Sequence, residues 1–328
     1  MIYRLLNNNS SYHFIALPLL AVLLWSGTLV NPVAHQFSID VTHMMPLYQP
    51  FYLLMQWSGL AANGLAILLS IVAALLIVQM NHRFLFLDCR TFLPGYLYII
   101  ITGGFTPLHY LSPIYFVNIF GILAFSNIFS SATSKHPYSN VFTTGMILSI
   151  GSLFYFNMIF LFPLIWLAFL FVHKNLEWRH LLLPLLGILV PWLYVFTYYF
   201  FVDETTLFIE IIKTNFFVAE HRLFSNAYIL TYLAILFVLT VAASVGLIKN
   251  LEKKGSVHRI FFQNFLAIGI MSAIVMLLVP SASKEMIMMM ATSLSCILAN
   301  FLLIIKKNFW KNALIYGLIF VSFYLQFV

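Results

Sequence analysis

Residues 141–202 read VFTTGMILSIGSLFYFNMIFLFPLIWLAFLFVHKNLEWRHLLLPLLGILVPWLYVFTYYFFV, and this stretch decides the fold. Its first 33 residues, up to His173, contain no Asp, Glu, Lys or Arg. A helix needs about 20 residues to cross the hydrocarbon core of a bilayer, so this run is too long for a single crossing. We interpret it as two short helices that meet near residues 154–157, followed by another crossing that begins at Leu181.

The distribution of basic residues supports this interpretation, because loops rich in Lys and Arg stay on the cytoplasmic side of a membrane. With two crossings before His173 and a cytoplasmic N-terminus, 13 of the 16 Lys and Arg residues fall in inside segments. These are Arg4, Arg83, Arg90, Lys135, Lys174, Arg179, Lys249, Lys253, Lys254, Arg259, Lys306, Lys307 and Lys311. The outside segments then hold only Lys213, Arg222 and Lys284. A single crossing would instead place the basic cluster at residues 249–259 outside.

The composition is that of a polytopic helical membrane protein. Hydrophobic residues make up 62% of the chain and charged residues 8%, with a mean hydropathy of +0.99, which excludes an ordinary soluble domain. In lipid each helix must satisfy its own backbone hydrogen bonds, so we expect an all-α fold. The net charge of +7 does not indicate nucleic-acid binding, because the cations lie in short loops on one side. Cys89 and Cys296 are not expected to form a disulfide.

We predict about 11 transmembrane helices within one integral membrane domain, residues 1–328, in the bacterial inner membrane. The N-terminus is expected in the cytoplasm and the C-terminus in the periplasm. Residues 1–202 form an N-terminal bundle, residues 203–226 a periplasmic interfacial segment, and residues 227–328 the C-terminal helices. In the interfacial segment, Asp203 is expected to cap a helix that lies on the outer leaflet. Its apolar face is predicted from residues that recur at helical spacing: Leu207, Phe208, Ile211, Ile212 and Phe216.

The nine acidic residues are the main guide to chemistry, because the sequence has no nucleotide-binding loop, zinc motif, catalytic triad signature or haem motif. No acid falls at the centre of a predicted span. Six are expected in outside segments, Asp40, Asp203, Glu204, Glu210, Glu220 and Glu285, and three in inside segments, Asp88, Glu177 and Glu252. An ion-coupled transporter usually places an ionisable group there, so the pattern disfavours that class. No motif indicates a cofactor or a metal. Asn118 and Asn157 are polar groups near spans, and we expect helix–helix hydrogen bonds from them rather than ligand contacts.

Asp40 is the candidate catalytic residue. It is the only acid in the first outside segment, residues 31–56, and His35 and His43 flank it. A carboxylate at a membrane surface can act as a general base, or hold a metal that in turn holds a phosphate. The alternative is that Asp40 caps a loop and that the two histidines are polar groups at the level of the lipid headgroups.

A second candidate is the cluster Glu220, His221 and Arg222, in the other large outside segment. It could bind a lipid phosphate, because the arginine guanidinium pairs well with two phosphate oxygens. The alternative is the solvated start of an ordinary span. The inside basic clusters are expected to contact anionic lipids, so membrane lipids are the expected partners and nucleic acid is not. No protein partner is indicated.

Two stretches resemble a family of uncharacterised polytopic inner-membrane proteins of Bacteroidota. The first is MPLYQPFYLL with the later NHRFLFLDCRTFLPGYLY, and the second runs from GMILSIGSLFYFN to PWLYVFTYYFF. The resemblance is strong over residues 1–205 and weak beyond them. The family has no agreed activity, so the resemblance implies no catalytic residue.

The chain is also similar, more loosely, to C-type membrane glycosyltransferases. The similarity lies in a Gly-containing short helix, a second short helix, a basic turn with Trp178-Arg179, and then GILVPW. It implies a polyprenyl-phosphate-linked sugar as donor, cell-envelope glycan assembly as the process, and an acid in the first outside loop, where Asp40 lies. Many such enzymes have two acids there, and this chain has one. The alternatives are a non-enzymatic component or scaffold of an envelope assembly, and a transporter of lipids or small molecules.

Overall fold

The computed structural model describes residues 3, 6–8, 10–30, 41–131, 137–172, 177–217, 227–251, 255–279 and 285–326, and these residues contain helices but no strand. The α-helices are α1 (His13–Leu24), α2 (Ser26–Val30), α3 (Gln49–Trp57), α4 (Gly59–Phe84), α5 (Leu93–Gly103), α6 (Ile114–Ser131), α7 (Pro137–Phe154), α8 (Pro163–Val172), α9 (Trp178–Phe201), α10 (Thr205–Phe217), α11 (Ala227–Leu251), α12 (Ser256–Leu278), α13 (Met286–Ile304) and α14 (Asn308–Tyr324). Three 3-10 turns join them, at Val41–His43, Thr106–Leu108 and Phe156–Leu161.

Many of the described helices are apolar, as expected for a membrane protein. Six of those described, α4, α6, α9, α11, α12 and α13, are long and apolar enough to cross a membrane. Shorter apolar helices lie at His13–Leu24, Leu93–Gly103 and Phe156–Val172. The prediction of an all-helical fold is therefore confirmed for the described residues, and the figure of about 11 crossings stays a prediction.

Helices α7 and α9 run parallel to one another. At their starts, the Tyr138 hydroxyl donates to Glu177, the residue before α9. Further along, the Ser149 hydroxyl donates to the carbonyl of Ile188 at 2.6 Å, and Trp192 Nε1 donates to Ser152 Oγ at 3.0 Å. Two parallel helices joined by one connection require that connection to return to the starting end. The stretch between them, the third 3-10 turn and α8, therefore turns back, as the length of the uncharged run predicted.

Glycine residues allow the backbones of α7 and α9 to approach each other closely. A Cβ atom on Gly145 of α7 would overlap the carbonyl oxygen of Pro184 on α9, and one on Gly187 of α9 would overlap the carbonyl oxygen of Phe142 on α7. Small residues at such positions let two helix backbones approach, which is the usual basis of helix packing in lipid.

The centre of the bundle consists of α5 and α13. Every residue of α5 is buried, from Leu93 to Gly103. Most of α13 is buried as well, in contrast to α9 and α11, which expose most of their apolar side chains on the outside of the bundle. An apolar helix exposed in this way is suited to contact with lipid or with another apolar helix.

The described basic side chains collect at one end of the bundle, except for Lys213. They are Arg83, Arg90, Arg179, Lys249, Arg259, Lys306, Lys307 and Lys311. Contacts between residues at the helix ends show that these parts of the chain lie together. Lys311 lies over the Tyr3 ring, 4.2 Å from its centroid, and His258 Nε2 lies 3.1 Å from the Leu85 carbonyl oxygen. We call it the basic end. That it faces the cytoplasm is a prediction from charge.

The opposite end, which we call the His43 end, carries α10. Phe208 and Ile211 of this helix are buried against Met45, Phe156 and Tyr199. The predicted apolar face is therefore present, but it packs on the bundle. The predicted cap at Asp203 is wrong, because α10 begins at Thr205 and Asp203 has a left-handed φ of 59°. The short turn after α9 requires that conformation, and Asp tolerates it better than most residues.

Candidate functional site

Residues 41–48, which directly follow Asp40 in the sequence, pack into the His43 end. The Leu47 amide donates to the Leu153 carbonyl at 3.3 Å, and the Tyr48 hydroxyl donates to the Leu111 carbonyl at 2.7 Å. The first and second outside segments of the prediction also meet, because Asn215 of α10 donates to the His43 carbonyl at 2.8 Å. Tertiary structure thus brings three distant parts of the chain to one place.

His43 is the one sequence-predicted site residue within the part of the chain that the structure describes. Its Nε2 lies 3.6 Å from Glu210 Oε2, and the side chains are 31% and 63% exposed. Thr42 Oγ1 lies 3.2 Å from its Nδ1. An exposed pair of this kind contributes little to stability, and it places the His43 and Glu210 side chains next to each other at the surface. Asp40, His35, Glu220, His221 and Arg222 lie outside the described residues.

A buried carboxylate lies at the same end. Glu285, directly before α13, has only 9% of its surface exposed. The Tyr155 hydroxyl lies 3.4 Å from Glu285 Oε2, a long hydrogen bond. Asn157 and Tyr110 are also buried and interact with Tyr155. We call these four residues the Glu285 cluster. It combines one acceptor carboxylate with two phenols and an amide, out of bulk water.

Local structure explains how the cluster forms. Tyr155 directly follows the last residue of α7 and has extended backbone angles of φ −145° and ψ 107°, so its side chain leaves the helical pattern. Glu285 sits at the start of α13, where the Met288 amide donates to the Glu285 carbonyl at 3.1 Å. The unsatisfied amides of a helix N-terminus favour a negative charge at that position. A break in one helix therefore meets the start of another.

Protonation in the cluster follows from burial. Burial, and then the negative charge of Glu285, raise the pKa of Tyr155 well above its usual value. Tyr155 is therefore a neutral phenol at physiological pH and can donate its hydrogen to the carboxylate. A carboxylate held in this way can accept a proton from a bound hydroxyl group, which is the work of a general base.

The cluster is joined to the segment that follows Asp40. Tyr48 bonds to the carbonyl of Leu111, which is adjacent to Tyr110, and Leu47 bonds to the carbonyl of Leu153, two residues before Tyr155. The backbone that carries His43 therefore rests on the backbone that carries the two tyrosines. The described residues that follow Asp40 and the buried Glu285 therefore share one end of the bundle.

Beneath the cluster, a hydrogen-bonded chain crosses the centre of the bundle. Thr292 of α13 donates to Asn118 Oδ1 at 2.8 Å, and Asn118 Nδ2 donates to the Tyr98 hydroxyl at 2.8 Å. The three side chains belong to α13, α6 and α5. The prediction that Asn118 makes helix–helix hydrogen bonds is thus confirmed. Asn157, for which the same was predicted, instead belongs to the Glu285 cluster.

His109 lies in the turn between α5 and α6 at this end. Its ring stacks on Trp25, with centroids 4.3 Å apart and planes 10° apart, and it is buried. Burial lowers the pKa of His109 to about 4, although backbone hydrogen bonds at Gly103 and Thr102 oppose the shift. His109 is therefore neutral at physiological pH and acts as a packed aromatic ring.

By sequence, Glu285 is one of the predicted outside acids and has no feature that marks it as a site residue. Its position among six outside acids carries no signal of burial, since Glu210 in the same group is exposed. The start of an apolar helix directly after Glu285 was the available clue. Among the residues that the structure describes, no three His, Cys, Asp or Glu side chains are grouped so that they could hold a metal ion.

Residues 45–328 match the model of DUF6427, a family of unknown function. The chain belongs to this family. The DUF6427 match includes residues 206–328, over which the resemblance stated from sequence was weak, and it contains the whole Glu285 cluster. Asp40 precedes the matched range. No curated protein and no solved structure matches the chain.

Proposed function

We propose that this DUF6427 protein is a multi-pass protein of the bacterial inner membrane whose His43 end acts on a lipid-linked substrate. Charge supports the orientation, because the described basic side chains other than Lys213 lie at the opposite end. The reaction we infer is transfer of a sugar from a polyprenyl-phosphate donor during cell-envelope glycan assembly. The observation that carries this proposal is the buried Glu285 carboxylate beside Tyr155.

The chemistry requires one base. An acceptor hydroxyl attacks the anomeric carbon of the sugar, the bond from that carbon to the polyprenyl phosphate breaks, and the phosphate leaves with the electron pair. The proton of the hydroxyl passes to a carboxylate. Glu285 is one candidate for this base, because it is buried and Tyr155 can orient it. Asp40 remains the other, as base or as metal ligand.

Three variants test the proposal: Glu285→Gln, Asp40→Asn and, as a control, Glu210→Gln. Glu210 is an acid of the same end that is 63% exposed, so its loss removes the same charge without touching the cluster. We expect Glu285→Gln or Asp40→Asn to abolish a modification of the envelope glycans while the protein accumulates to a normal level. Glu210→Gln should leave the glycans unchanged. The measurement is mass spectrometry of released envelope glycans.

The same experiment separates the alternatives. Normal glycans in both carboxylate variants would end the enzyme proposal. If the chain then co-purified with a stable partner, the non-enzymatic scaffold would be favoured, and the broad exposed face of α9 would be its contact surface. Transport of a lipid or small molecule would be favoured instead if the variants changed the movement of a substrate without changing any glycan.

A further inference from the structure

An apolar groove opens on the side of the bundle between α8 and α12. Its volume is about 470 Å³, within the range of roughly 300–1,000 Å³ that ligand sites occupy. Pro163, Leu167 and Phe171 form the α8 wall, and Ala267 and Ile270 belong to the α12 wall. Both helices are apolar along this length, so the groove lies at the depth at which lipid chains would contact the protein.

The polar end of the groove points toward the basic end of the bundle. Gln263 is its polar lining residue, one turn of α12 from Ala267. Arg259 lies one further turn toward the start of α12, and residues four apart share a helix face. Arg259, Gln263, Ala267 and Ile270 therefore lie along one face of α12, which begins with a cationic residue and continues into the apolar wall of the groove. His258, the preceding residue, faces elsewhere, toward Asp88 and Leu85.

We propose that this groove binds one anionic glycerophospholipid. An acyl chain lies between α8 and α12, and the headgroup phosphate pairs with Arg259, with the Gln263 amide as a second donor. The charge pattern selects this occupant. A guanidinium can pair with two phosphate oxygens. An acyl chain needs no hydrogen-bond partner, and the walls of the groove carry no polar side chain other than Gln263.

The test is native mass spectrometry of the full chain, purified and then titrated with phosphatidylglycerol or with phosphatidylcholine. We expect the wild-type chain to retain phosphatidylglycerol in preference to phosphatidylcholine. Arg259→Gln should weaken phosphatidylglycerol binding about tenfold, because it removes a charged hydrogen bond. Ala267→Trp should reduce the number of retained lipids by one per chain for either lipid, because the indole fills the groove.

Lys306→Gln is the matched control, since Lys306 is an exposed cation of the same end and lies outside the groove. Equal weakening by Lys306→Gln and Arg259→Gln would overturn the proposal, because it would indicate general surface charge. So would unchanged lipid retention in Ala267→Trp. If Ala267→Trp does not fold, Leu167→Trp fills the groove from the opposite wall and decides the question with the same readout.

Discussion

The phenol oxygen of Tyr155 lies 3.4 Å from Glu285 Oε2, although the two residues are 130 positions apart in the chain. This contact joins the end of α7 to the start of α13. It also explains why a chain whose predicted spans contain no central acid still holds a buried carboxylate. The carboxylate sits at the end of a span, where the helix N-terminus and a neutral phenol can stabilise it.

Tyr155→Phe tests the strength of this contact. The change removes one hydroxyl and leaves Glu285 buried with one donor fewer, so we expect a loss of about 1–3 kcal/mol in unfolding free energy. The control is Tyr194→Phe on α9, where the side chain is 76% exposed and no loss is expected. Thermal unfolding in detergent provides the measurement. Equal stability of the two variants would show that the contact does not contribute.

Replacement of a glycine by alanine is expected to have different effects in the contact between α7 and α9 and on the open surface of α14. Gly145→Ala should destabilise the protein by about 1–3 kcal/mol, because the added methyl group meets the backbone of Pro184. Gly317→Ala, on α14, has open space around the added carbon and should be neutral or stabilising by up to about 1 kcal/mol. Melting temperatures from fluorescence-detected size-exclusion chromatography would compare them. A stabilised Gly145→Ala variant would be incompatible with the close approach.

His109 predicts a pH dependence of stability. Its pKa is about 4 in the folded chain and about 6.5 when unfolded, so between these values the unfolded state binds a proton that the folded state does not. Stability is therefore lost as pH falls below about 6.5, by about 2 kcal/mol at pH 5. His109→Phe should remove that part of the dependence and keep the stacking on Trp25. Unfolding curves at pH 7.5 and pH 5 give the change in unfolding free energy between the two pH values. An identical change in the wild-type chain and in His109→Phe would contradict the proposed titration of His109.

Cysteine labelling tests the orientation. Single cysteines are placed at Lys213, at the His43 end, and at Lys306, at the basic end, in a chain that carries Cys89→Ser and Cys296→Ala. A membrane-impermeant maleimide should label Lys213→Cys in cells whose outer face of the inner membrane is accessible. Lys306→Cys should react only after the membrane is opened. Labelling in the reverse order would invert the orientation and remove the outside position of the proposed site.

Much of the fold could be read from the order of residues. The uncharged run before His173 required a return of the chain, and the contact of Tyr138 with Glu177 shows that return. Periodicity identified Phe208 and Ile211 as one apolar face, but the sequence could not tell whether lipid or protein would cover it. Either surface accepts the same side chains, so only the position of Met45 and Tyr199 decided the question.

The candidate site was harder to predict. Asp40 and His43 stand out in the sequence because they are rare polar residues in a predicted outside segment, and that property is local. The burial of Glu285 depends on Tyr110, Tyr155 and Asn157, which come from other parts of the chain. No local pattern encodes such a meeting.

What the sequence alone determined is the class of the molecule and the grouping of its turns, because the length of an apolar run and the position of a cation act directly on partition into lipid. What only the tertiary structure decided is which polar groups face each other. That outcome depends on helix pairing, as between Gly145 and Gly187, and on where a helix breaks, as at Tyr155. Those events set distances between residues that the chain order leaves independent.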